Sequence, residues 1–425
     1  MEQTMADEVS GTIEKALAIN LDPLKYGTIV EIGAGQEVAR WFFQAGAAAG
    51  TVAKTMSAYD MKFSDEIYGE STDRRYVSRP RLERMLEREF DLLVSRVRDH
   101  RPPDSTFFTF ANTVAAQGFK KRDECHGWMG VRFQIDPTLP PEDIILHVRM
   151  FDDTNVEQQD ALGILGVNLI HGAYFHAHEP ERLLKGLTDN LKWGRVEVDL
   201  IEFRGPTLGK IDNRLMALEL VKASLTPAVL FDPSGRVAIP SEALYKRSVL
   251  GMRGDFRPVV GEGMKRFDHA RNLFAEKCAA GKPAILMAEM TMSAIVNEDG
   301  IDTADFLERV NALTGLGFHV LISEFFRYFR VRQYLARHSQ EPVAFVLGVD
   351  GFSRIMHEKF YEGLEGGIME GLGRLFPAGT TAYIYPERVE DVLITLDDMP
   401  IADHLRPLVT YLRERGQVVA VDEFE

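Results

Sequence analysis

The last third of the chain alternates short apolar runs with stretches of helical periodicity, and few folds accept that pattern. Residues 284–290, 319–323, 343–348, 381–385 and 417–421 read as strands. Residues 303–314, 327–338, a glycine-interrupted stretch ending at Leu375, and 402–415 read as the intervening helices. Helices of this length join parallel neighbours and cover both faces of a sheet, so the pattern predicts an α/β fold with a C-terminal doubly wound, mostly parallel sheet. Ligands of such sheets collect at the carboxyl ends of the strands, which directs attention to Glu289, Ser323, Glu324 and Asp350.

The rest of the chain is less regular. A helix over 11–19 precedes a strand at 29–32, and Val38, Trp41, Phe42 and Ala45 recur at helical spacing after it. A charged amphipathic helix over 81–100 stops at Pro102 and Pro103. Strands at 106–110, 130–135 and 144–151 have few helices between them, as in an antiparallel or mixed sheet. Two helices fill 156–192, with 161–175 apolar enough to be buried. A strand at 196–203, a helix at 213–223, a strand at 228–231 and a linker at 258–263 follow. The predicted division is an N-terminal α/β or α+β portion (1–150), a central α/β segment (151–262) and a C-terminal Rossmann-like domain (263–425).

Net charge is −15, from 64 acidic and 49 basic residues, so no global positive field draws the chain to nucleic acid or to a membrane. An anionic ligand has to meet local arginines. Cys125 and Cys278 form no paired motif, residues 1–10 lack the pattern of a secretory signal, and no apolar run is long enough to span a bilayer. A cytoplasmic setting is expected.

Glu31-Ile32-Gly33-Ala34-Gly35 ends a strand in a glycine turn and opens a helix. Glycine lets backbone amides close on a phosphate or adenosine group, and the helix start favours negative charge. The acidic strand residue before the turn resembles the first motif of S-adenosylmethionine-dependent methyltransferases. Glu37 stands where that family places a third glycine, and only Asp60 is near the position of a ribose-binding carboxylate. A tight turn with no ligand satisfies the same residues. Downstream, Lys54 and Thr55 add a phosphate contact, and Asp60 a metal or hydroxyl contact.

Arg253 and Arg257 flank Gly254 and offer forked donors for phosphate or carboxylate; ion pairing with the many acidic residues is the plainer alternative. Over 323–330, Glu324 sits at a strand end and Arg327 lies one helical turn from Arg330, while the phenylalanines there suit a core. Five glycines over 363–373 interrupt a helical pattern at a cost of about 1 kcal/mol each, which close packing against a helix, a subunit or a ligand offsets. His176 and His178, near His171, are weak metal candidates at a spacing suited to extended chain. No GxSxG elbow, P-loop or HExxH is present.

The phrases at 31–40, 53–60, 165–170, 253–258 and 350–374 together resemble a widespread bacterial family labelled nicotinate-nucleotide adenylyltransferase-like, over nearly the whole chain. The resemblance implies nucleotide chemistry. No HxGH motif is present, so no catalytic residue is carried over from it.

Three readings follow. The first is a transferase-type enzyme of nucleotide metabolism, binding an ATP- or NAD-type nucleotide with Mg, or another phosphorylated metabolite. In it Glu31, Gly33, Gly35, Lys54, Thr55, Arg253, Arg257 and Arg327 hold the ligand, and Glu324 and Asp60 are the catalytic candidates. The second is a methyltransferase using S-adenosylmethionine. The third is a non-catalytic homo-oligomeric scaffold joined through 363–373.

Overall fold

A computed structural model describes residues 11–70, 75–117, 125–258, 261–278, 282–298, 300–389 and 392–421. The segment 1–10 and residues 259–260 of the expected linker lie outside these. The chain forms two compact units, Met1–Thr226 and Pro227–Glu425.

The first unit runs α1 (Thr12–Asn20), β1 (Lys25–Ile32), α2 (Glu37–Ala45), β2 (Val52–Met56), α3 (Met61–Tyr68), α4 (Arg79–Val97), β3 (Thr106–Ala115), β4 (Cys125–Phe133), β5 (Glu142–Met150), α5 (Asn155–Phe175), α6 (Pro180–Gly186), β6 (Val196–Arg204) and α7 (Asn213–Lys222). Its six-stranded sheet has the order β2-β1-β3-β4-β5-β6, with β2, β1 and β3 parallel and the rest antiparallel. The expected mixed sheet is present, with strands longer than the apolar runs alone suggest. Amphipathic α4 covers one face. The apolar α5 is buried as expected, and its Gly166 lets the helix close on Val38 and Phe110.

The second unit runs β7 (Ala228–Phe231), β8 (Val237–Ala238), α8 (Pro240–Ala243), β9 (Val249–Arg253), α9 (Glu262–Ala275), β10 (Ile285–Thr291), α10 (Met292–Ile295), β11 (Val296–Asn297), β12 (Gly300–Ile301), α11 (Thr303–Gly315), β13 (His319–Ser323), α12 (Tyr328–His338), β14 (Val343–Gly348), α13 (Val349–Ile355), α14 (Gly367–Leu375), β15 (Thr380–Tyr385), β16 (Glu387–Val389), β17 (Val392–Ile394), α15 (Arg406–Glu414) and β18 (Val418–Ala420). Its eight strands lie in the order β18-β15-β14-β9-β10-β13-β7-β8. The six from β18 to β13 are parallel, and β7 adds antiparallel beside β13. Numbered along the chain, those six read 3-2-1-4-5-6 from β13 to β18, the order of a doubly wound sheet. Leu321 of β13 joins the core beneath α12, α14 and α15, while Val320 and Ile322 are buried on the other side of the strand. Burial on both faces explains why these strands are apolar runs rather than alternations.

The units divide after residue 226, not at the expected 150 and 262. Strand β6 closes the first sheet by pairing with β5, and β7 and β9 belong to the second. Strand β9 and helix α9 were not expected from sequence, yet β9 is the first strand of the winding and lies beside β14 where the strand order reverses.

Candidate functional site

At the glycine turn, Gly33 (φ 104°) and Gly35 (φ 78°) adopt left-handed backbone. A Cβ on Gly33 would collide with the carbonyl oxygen of Val114 on β3. Buried Glu31 turns back to accept the N–H groups of Val38 (3.2 Å) and Ala39 (3.1 Å), with Asn112 donating from β3 at 3.4 Å. The helix-start donors that would hold a phosphate are thus engaged by the chain's own carboxylate. Burial pushes that carboxyl up to about 7, against the pull of the two amides. An open surface depression of about 500 Å³ runs along α2 past Gln36, Glu37, Arg40 and Phe43, whereas the cavity between Ile32, Tyr59, Tyr76 and Arg81 beside the turn measures about 40 Å³. That holds a few waters at most.

The neighbouring residues are similarly engaged. Lys54 pairs with buried Glu89, which also accepts from the Tyr68 hydroxyl (3.1 Å). Thr55 pairs in β2 opposite Ile29, and Asp60 caps α3 by accepting the Phe63 N–H at 2.9 Å. The rings of His171 and His176 meet edge to face, and His178 is exposed. Among the described residues, no group of three His, Cys, Asp or Glu side chains is placed to hold a metal ion.

The second unit is open where the first is filled. A cavity of about 390 Å³ lies at the carboxyl ends of β9 and β10, between the segment entering α12 and the segment from α13 onward. Arg253, Arg327 and Arg354 line it with Thr291, Ser293 and Tyr328, while Phe326, Phe360 and Tyr361 give it aromatic walls. The Thr291 and Ser293 hydroxyls lie 2.9 Å apart. No carboxylate, histidine or cysteine lines the cavity among the described residues.

Arg253 ends β9 and forks onto Glu289 of β10 (Nε 3.0 Å, Nη2 2.9 Å). It also donates to the carbonyls of Phe325 (2.9 Å) and Phe326 (3.0 Å), with its guanidinium over the Tyr328 ring at 4.4 Å. Ser323 donates to the same Glu289 at 2.6 Å. Four of the five guanidinium N–H donors are therefore committed, and the residue pins the segment that presents Arg327. Arg327 itself is half-buried at the start of α12, and its side chain has no hydrogen-bond or ion-pair partner among the described residues. Arg354 pairs with Asp350 at 2.8 Å on the surface, where such pairs hold weakly.

Of the expected residues, Arg253 and Arg327 share this cavity. Arg257 is turned onto Asp305 at the start of α11. Glu324 lies outside the lining, is exposed, and has its carboxyl raised by partial desolvation. Three glycines of 363–373 have intrachain reasons: Gly367 adopts left-handed backbone (φ 53°), a Cβ on Gly366 would crowd the Glu370 side chain, and a Cβ on Gly371 would enter the Tyr361 ring, so Gly371 lets α14 close on the cavity wall. Tyr361 is further held by its hydroxyl, which donates to the Ile355 carbonyl at 2.7 Å. Sequence reading did not single out Thr291, Ser293, Phe360 or Tyr361 for this site. The basic and aromatic cluster over 357–361, shortly after a strand end, was the available signal.

No family model and no curated protein matches the chain, so the nicotinate-nucleotide adenylyltransferase-like resemblance gains no support there. Solved structures with partial likeness include competence/damage inducible protein CihA from Agrobacterium tumefaciens (16% identity, 39% of this chain, 97% of that one, TM-score 0.29). Another is a competence-damaged (CinA) superfamily protein from Enterobacter cloacae (13% identity, 41% and 98%, TM-score 0.29). At that similarity the likeness carries no functional argument. The class that the architecture itself defines is a mixed α/β protein. No helix among the described residues is long and apolar enough to cross a membrane.

Proposed function

We propose that the second unit binds a small phosphate-bearing metabolite, of the nucleotide or phosphorylated-metabolite class, in the cavity beside β9 and β10. Arg327 carries the reading: an arginine held half out of water beside a second arginine and two hydroxyls, with no carboxylate to neutralise it. Guanidinium groups match phosphate oxygens in geometry and charge. In this reading Arg253 is a positioning residue. Arg327, unpaired among the described residues, disfavours the cationic sulfonium of S-adenosylmethionine, and the lining holds no carboxylate, imidazole or thiol among the described residues.

The test is thermal unfolding of the full chain with ribose 5-phosphate, AMP, ATP, nicotinate mononucleotide and S-adenosylmethionine. At a hundredfold excess over Kd a ligand adds about 2.7 kcal/mol. Phosphorylated ligands raise the melting temperature and Arg327→Ala removes the rise; no rise with any of them at millimolar concentration overturns the reading.

A further inference from the structure

A second constellation lies in the first unit, on the antiparallel part of its sheet. Strands β5 and β6 pair Arg149 with Glu197 and Val148 with Val198, and then the register slips so that His147 faces Leu200. Asp199 is the extra residue of this bulge. Its carboxylate lies 2.5 Å from Nδ1 of His147, and both side chains are almost wholly buried. Nε2 of His147 in turn lies 3.1 Å from Nδ1 of His126, on the adjacent strand β4.

The proton positions follow from the partners. A carboxylate only accepts, so Nδ1 of His147 carries a proton, and in the neutral ring Nε2 is then the acceptor toward His126. His126 then donates from Nδ1, which leaves its own Nε2 with a free lone pair. His126 is half-buried and sits opposite Ala115, the last residue of β3, at the carboxyl end of the parallel strands. Arg149 is its cross-strand neighbour, Glu197 lies beyond Arg149, and Arg79 from α4 stacks over Trp128 two residues along. Burial, with the Arg149 guanidinium beside it and against the pull of Asp199, keeps the His126 ring neutral, its pKa pushed down to about 4.

We propose that His126 is a nucleophile toward activated acyl compounds, an ester or anhydride, with His147 and Asp199 as positioning residues that take up its proton. The Nε2 lone pair bonds to the carbonyl carbon, and the carbon–oxygen bond to the leaving group breaks to release a phenolate or carboxylate. The Nδ1 proton of His126 passes to Nε2 of His147. The products are a neutral acyl-imidazole and an imidazolium paired with the Asp199 carboxylate. Water then splits the acyl–nitrogen bond: its hydroxyl leaves with the acyl group as the carboxylic acid, its other proton goes to solvent, and the His147 imidazolium returns the Nε2 proton to Nδ1 of His126. A neutral acyl carbonyl fits because Arg149 beside His126 and Glu197 beyond it leave the position with charges of both signs rather than a cationic cradle.

The test uses the full chain and diethyl pyrocarbonate, with modified histidines mapped by mass spectrometry. His126 is expected to react at least tenfold faster than the other histidines. Asp199→Asn slows it at least tenfold and Asp199→Glu restores part of the rate, with melting temperatures recorded alongside. His126→Gln, changed at the accessible end of the relay, abolishes the stoichiometric burst of nitrophenolate from p-nitrophenyl acetate. Reactivity of His126 equal to that of the other histidines, an unchanged rate in a folded Asp199→Asn protein, or a burst retained in His126→Gln overturns the proposal.

Discussion

The two units each contain a place where the strand order of parallel neighbours reverses, and they treat it in opposite ways. Beside β1, glycine conformations and a helix start provide the backbone of an anion site, but Glu31 takes the amides and the Val114 carbonyl lies against Gly33. Beside β9, a cavity of about 390 Å³ remains, and Arg327 faces it without a counter-ion among the described residues. The difference teaches that a glycine turn specifies a backbone path, whereas a site depends on donors left without an internal acceptor.

The largest effect that would sharpen this contrast is expected from Arg253→Ala. It leaves Glu289 buried without its partner, a change that costs about 3–5 kcal/mol. Chemical denaturation should record this as loss of the second unit's stability, and a loss below 1 kcal/mol would mean that the clamp is dispensable. Gly33→Ala comes next: left-handed backbone alone costs about 1–3 kcal/mol, and the Val114 carbonyl adds a clash. The first unit's transition should move to lower denaturant, even though no ligand is involved.

Within the first unit, the pH dependence separates the carboxyl at the glycine turn from two buried histidines by sign. Glu31 keeps its proton in the folded chain up to about pH 7 but loses it near 4.5 when unfolded. Its contribution is full below 4.5 and falls as pH rises to 7. His126 and His171, both depressed to about 4, act oppositely: the unfolded chain binds their protons first, so stability rises with pH between about 4 and 6.5. Glu31→Gln should therefore steepen the rise below 6.5 and abolish the fall between 6.5 and 7, as read by melting temperature. A wild-type-like profile in this variant would place the titration elsewhere.

The smallest stability effect belongs to Arg327→Ala, within about 0.5 kcal/mol, because no ion pair is broken. The same substitution should weaken phosphate-ligand binding at least tenfold by calorimetry. A large stability loss with unchanged affinity would reverse the contrast between this arginine and Arg253.

Much of the second sheet was legible because its strands are buried on both faces and read as apolar runs. Strand β9 was not, since Val249-Leu250-Gly251-Met252-Arg253 is short and has glycine at its centre. Missing it hid the reversal of strand order, so Arg253 read as a turn residue rather than a strand end. Arg327 was recognisable by its place after β13, but its lack of a partner depends on tertiary packing. The role of Glu31 was equally hidden: the turn was visible, while the backward direction of one side chain decided what filled it.

The bulge at Asp199 is a one-residue event with an evolutionary corollary. Removing a single residue from β6 there would bring the ladder back into step and lift the carboxylate from His147, with the strand order unchanged. A lineage carrying this sheet can therefore acquire or lose the histidine relay through one codon's insertion or deletion while keeping its architecture. Among descendants of this chain, the length of β6 would track the relay more faithfully than overall resemblance does.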